Sequence, residues 1–110
     1  MEERVYIGLL LDYYGGLLTE NQRTSLELYY TEDLTLSEIG ESTGITRQGV
    51  RDAIKRGEAA LHRAEDQAGM VKRYMAFQQA MEELETHLEE REDETSLSIL
   101  HKALQIWESE

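Results

Sequence analysis

The chain has 110 residues, enough for one compact unit with a modest core and too few for two large independent domains. It holds no cysteine and no proline, which excludes disulfides and thiolate metal sites and favours helices joined by glycine turns over a proline-punctuated sheet. A net charge of -12 opposes attraction to phosphate, so a nucleic-acid reading needs a local reversal of sign.

The start, "MEERVYIGLLLDYYGG", is acidic at Glu2 and Glu3, and its apolar run is interrupted by Gly8 and Asp12. No apolar stretch approaches a membrane span, so a soluble, unprocessed, cytoplasmic chain is expected. A first helix is predicted from Glu3 to Tyr14, with Val5, Leu9 and Tyr13 recurring every fourth residue and Gly15-Gly16 taking the left-handed conformation that ends it. Thr19 then caps "ENQRTSLELYY", in which Leu26, Tyr29 and Tyr30 continue the helical period, and "TED" at 31 to 33 closes that segment.

Thr35 caps a short helix, "LSEIGES", with Glu38 three residues later as a capping box requires. Gly44 breaks it, and Thr46 caps a fourth helix whose inward face is Val50, Ile54, Gly57 and Leu61. A helix-turn-helix needs a small residue at the crossing, a turn residue that tolerates positive φ, and apolar residues that hold the second helix on the first. Gly40, Gly44 and the set Ile39, Ile45, Val50 and Ile54 supply these in order. The plain alternative is a structural helical hairpin that never meets DNA.

The outward residues of the fourth helix are Thr46, Arg47, Gln48, Arg51, Asp52, Lys55 and Arg56, and these are the candidate DNA-binding residues. Arginine can bridge guanine O6 and N7, glutamine adenine N6 and N7, and aspartate can accept from the cytosine amino group. Lys55 and Arg56 lie further along and suit phosphate. Between Thr46 and Gly57 four cations face only Asp52, a local balance of +3 in an acidic chain. The bland reading of Arg47, Arg51 and Lys55 is a solvated helix face. A unit with three or four phosphate contacts binds weakly alone, so two copies are expected.

After Glu65 the pattern changes: Tyr74, Phe77, Met81, Leu84 and Leu88 step as a heptad seam. "EEREDE" at 89 to 94 is too charged to bury, and Leu97, Leu100, Leu104 and Trp107 predict a last helix folded back on the one before. The expected fold is all-α: a helix-turn-helix domain over residues 1–65, then a C-terminal amphipathic helical extension over 66–110 that packs on itself or makes a homodimer. The first part holds seven cations against twelve anions and the second four against eleven, so the extension is the more acidic.

Other constellations carry less. His62, His87 and His101 lie outside any H-E-x-x-H spacing and read as surface or cap histidines. Gly8, Gly15 and Gly16 lack the Gly-Lys-Ser of a phosphate loop, and the pairs Glu82 with Glu85 and Glu89 with Asp93 lack partner histidines for a bundle metal site. No cofactor, metal or enzymatic activity is expected. Tyr13, Tyr14, Tyr29 and Tyr30 read as core or crevice residues with hydroxyls at the rim, in preference to stacking platforms for RNA.

Residues 9 to 56 contain "DYYGGLLT", "LELYYTEDLTLSEI" and "ITRQGVRDAIKR", and on these pieces the chain resembles the YlxM family of small bacterial proteins. The segment is more distantly similar to region 4 of bacterial sigma factors, where a helix-turn-helix reads a promoter element. Members have genes beside those of the signal recognition particle. The resemblance therefore implies a DNA-binding regulator, or an accessory that binds the particle's protein or RNA. It also implies alanine where this chain has Gly40 and Gly49, and often a basic residue at Asn21. Beyond Glu65 it reduces to a helical, acidic tail.

Overall fold

Threonine hydroxyls start three of the helices in the structure, a computed structural model that describes residues 1–108. Thr19 accepts from the Gln22 N–H and receives the Gln22 side chain on its own N–H, opening α2 (Glu20–Tyr30), after α1 (Glu3–Tyr14) and a short 3₁₀ turn. Thr35 and Glu38 make the same reciprocal pair at α3 (Leu36–Thr43). Thr46 accepts from the Gly49 N–H at 3.0 Å to open α4 (Arg47–Ala68). Each cap satisfies a donor that the helix cannot, a contribution of about 1 kcal/mol. Two more helices follow, α5 (Met70–Glu90) and α6 (Glu94–Glu108). The fold is all-α.

The described residues belong to two compact units, one ending at Lys72 and the other beginning at Arg73. In the first, α4 is the central strut: α1, α2 and α3 all pack against it. Val50, Ile54, Gly57 and Leu61 face inward as their spacing predicts, and they meet Ile7, Leu10, Tyr14, Leu26, Ile39 and Val71. Each fully buried aliphatic side chain there contributes about 1.5–3 kcal/mol through apolar burial. Gly57 lets α2 cross closely, since a Cβ on it would sit 2.7 Å from Leu26 Cδ1.

Two expectations for α1 are corrected. The buried face is Ile7, Leu10 and Tyr14, not Val5, Leu9 and Tyr13; Val5 is exposed, and the other two are half-buried. The helix is apolar nearly all round, so periodicity could not choose between adjacent faces, and packing on α2 and α4 did. Neither Gly15 nor Gly16 adopts positive φ: Gly15 is right-handed at φ -56°, and α1 tightens into the 3₁₀ turn.

The second unit is a hairpin. Asp93 accepts the Ser96 N–H at 3.0 Å to start α6, and Glu92 takes a left-handed φ of 54° in the turn. Phe77 lies 6.2 Å from Trp107 between ring centres, and His101 Nε2 lies 3.6 Å from Glu85, contacts that run in antiparallel order. Leu100 is buried, while Tyr74, Met81, Leu88, Leu97 and Leu104 are half-buried. The expected seam is only partly covered, because Phe77, Leu84 and Trp107 remain exposed.

Candidate nucleic-acid interface

The turn between α3 and α4 is built from a glycine pair and an isoleucine. Gly44 takes the left-handed conformation (φ 77°) and donates its N–H to the Gly40 carbonyl at 2.9 Å. A Cβ on Gly40 would lie 2.7 Å from the Ile45 carbonyl oxygen, so glycine at 40 lets the chain double back this tightly. Ile39 is fully buried and Ile45 packs against the core, which clamps α3 to the start of α4. This is a helix-turn-helix, with α4 as its second helix.

With Val50 and Ile54 turned inward, the opposite face of α4 is in solvent. Arg47, Gln48, Arg51, Asp52, Lys55 and Arg56 are all exposed. Arg47, Arg51 and Lys55 follow one another at intervals of one turn, and Gln48, Asp52 and Arg56 form the adjacent row. Among the described residues none of these four cations forms an ion pair with a carboxylate of the chain. Gln48 Nε2 donates to Asp52 Oδ1 at 3.1 Å. Thr46 is exposed, but its hydroxyl accepts the Gly49 N–H of the helix cap, which leaves only its remaining hydrogen-bonding capacity for a partner.

Arg47 also borders an open cleft lined by Glu2, Glu3, Arg4, Tyr29 and Asp33. Arg4 had no signal in the sequence: it reaches across 26 residues to donate to the Tyr30 carbonyl at 2.6 Å, and to that of Thr31 at 3.1 Å, closing the C-terminus of α2. Tyr30 donates its hydroxyl to Glu58, and burial together with that carboxylate pushes its pKa well above the usual tyrosine range. Tyr14 donates to Glu65 at 2.7 Å and accepts from the Met70 N–H. These two hydroxyls serve the fold. Tyr29 is partly exposed and meets Tyr30 edge-on at 5.0 Å. His62 stacks on Tyr6, and no group of three histidine or carboxylate side chains among the described residues is placed to hold a metal ion. Among the described residues no helix is long and apolar enough to cross a membrane.

A helix-turn-helix of this build matches a known family over nearly its whole length. The family described as "Putative helix-turn-helix protein, YlxM / p13 like", UPF0122, covers residues 1–100. The chain belongs to this family. A UPF0122 protein of Symbiobacterium thermophilum is 38% identical over 104 residues, 94% of each chain. One from Desulforamulus reducens is 50% identical over 74 residues, which are 67% of this chain and 63% of the relative. One from Thermoanaerobacter pseudethanolicus is 39% identical over 88 residues, 80% of this chain and 75% of the relative. The match thus spans less than two thirds of the Desulforamulus protein. What the family description names is a helix-turn-helix.

Proposed function

We propose that this UPF0122 protein is a non-enzymatic, cytoplasmic DNA-binding regulator that lays the N-terminal half of α4 in a major groove. The observation that carries the reading is the row Arg47, Arg51 and Lys55, solvent-exposed and without a carboxylate partner among the described residues, on a helix anchored in the core by Val50 and Ile54. Arg47 and Arg51 present their guanidinium forks to guanine, Gln48 its amide to adenine, and Asp52 the carboxylate oxygen that Gln48 does not hold to a cytosine amino group. Lys55 and Arg56, one to two turns further along, meet phosphates. Thr46 sets the helix start against the backbone.

The test is selection of bound duplexes from a randomised pool, followed by titration at two salt concentrations. Binding should weaken steeply with salt, and Arg47→Ala should relax the selected sequence at one position. Lys55→Ala should weaken all duplexes alike and lower the salt slope by about 1. A selected sequence unchanged in Arg47→Ala removes base reading from α4. A second reading is an accessory that docks on the signal recognition particle's protein or RNA; its protein branch is supported by the acidity of residues 66–110, which suits a basic protein surface and opposes RNA, and by the exposed Ile99, Ile106 and Trp107 of α6. It predicts capture of particle components that is lost when residues 73–110 are removed.

A further inference from the structure

Gln48 and Asp52 stand one turn apart on the exposed face of α4, joined by the bond from Gln48 Nε2 to Asp52 Oδ1. A carboxylate only accepts, so the amide must turn its NH₂ group toward Asp52 and its oxygen away. A bidentate contact with adenine uses that oxygen, for the N6 amino group, and one N–H, for N7. The second N–H of the amide is surplus to the contact, and it is the donor that Asp52 can hold. A free glutamine on a helix surface samples several torsions that binding must freeze, whereas one tied to a neighbour has lost part of that freedom beforehand.

Asp52 is also the only anion among the charged side chains from Arg47 to Arg56. Its charge lowers the attraction of this face for any phosphate, whatever the base sequence. Holding Gln48 in register and weakening nonspecific contact act in the same direction: both widen the gap between the right site and the wrong one.

We propose that Asp52 is a positioning residue that orients the Gln48 amide for an adenine and restrains nonspecific binding, an inference that rests on the DNA-reading role of α4. The test uses the full chain, with duplex selection and titration of selected and random duplexes for wild type, Arg47→Ala, Gln48→Ala, Asp52→Ala and Asp52→Asn. Circular dichroism checks that each variant is folded. Wild type should prefer A·T at one position, and Gln48→Ala should lose that preference. Asp52→Ala should cut the same preference by roughly fivefold or more while binding random duplex more tightly. Asp52→Asn, whose amide oxygen still accepts from Gln48, should keep the preference yet also bind random duplex more tightly. The inference is overturned if Asp52→Ala keeps the wild-type preference, or if Asp52→Asn loses it as fully as alanine does. A preference lost in Arg47→Ala and Gln48→Ala but untouched by Asp52→Ala removes only the role of Asp52. A wild-type chain that selects no duplex removes the DNA-reading role of α4 as well.

Discussion

Gly40 leaves room for a Cβ only if the turn shifts, and the alanine that the family resemblance implies there would require that shift. A methyl there would press on a backbone carbonyl, that of Ile45, which cannot rotate away as a side chain can. Gly40→Ala should therefore destabilise the helix-turn-helix by about 1–3 kcal/mol, read as a lower urea midpoint. An unchanged midpoint would mean that the turn opens at no cost. Gly49 differs. Its helical position costs roughly 1 kcal/mol relative to alanine, but an added Cβ would meet Ile45 Cγ2 at 2.7 Å and the capping Thr46 Oγ1 at 3.1 Å. The weakness that glycine brings to α4 is thus offset by room for the cap. Spacing alone made Gly40 and Gly44 legible, because each stands at a fixed offset in the motif. The reason for Gly49 was not legible, since it depends on which way Ile45 turns.

At the scale of elements, α4 was readable because its apolar positions form one narrow stripe, so a fold that buries the stripe turns Gln48, Asp52 and Lys55 to solvent, whereas Arg47, three residues before Val50 and seven before Ile54, lies beside the stripe and is exposed at the first turn of the helix. In α1 the stripe is replaced by apolar residues around most of the helix, and tertiary packing made the choice. The start of α5 shows a further dependence on the fold. Glu65, near the end of α4, accepts the Val71 and Lys72 N–H groups at 3.0 Å each and the Tyr14 hydroxyl, so a carboxylate from one helix caps the next across the Gly69 turn. Burial raises the pKa of Glu65, but the bonds from Tyr14, Val71 and Lys72, together with the Lys72 charge, outweigh it and hold the carboxyl below its ordinary value. A depressed folded pKa means that the stabilisation is complete above the ordinary value of 4.5 and fades as the pH falls through the lower, folded one. Urea midpoints measured down through that window should show wild type losing its advantage over Glu65→Gln. A constant difference between the two would mean that the charge of Glu65 contributes nothing to the cap.

For the whole molecule, the balance of charge decides how it can meet a polyanion. A chain at -12 with one small cationic face gains little from counterion release, and doubling the face by association is the direct remedy. We propose that α6 supports this association, since Ile99 and Ile106 are each about two thirds exposed and lie one heptad apart, beside an exposed Trp107. Sedimentation at tens of micromolar should show a dimer, and the double variant Ile99→Glu, Ile106→Glu should sediment as a folded monomer. A monomeric wild type would remove the association through α6.

Caps, breakers and one clean apolar stripe were enough to read six helices, their order and the face that α4 turns to solvent, because each of these is a local preference repeated along the chain. The long-range hydrogen bonds of Arg4, Tyr14, Tyr30 and Glu65 were beyond that reading. Polar side chains far apart in sequence carry no periodicity, and they meet only after burial of the apolar stripes has brought their helices together. The same holds for the cations of α4: their spacing was plain in the chain, but their freedom from the surrounding carboxylates depends on where three other helices set those carboxylates down.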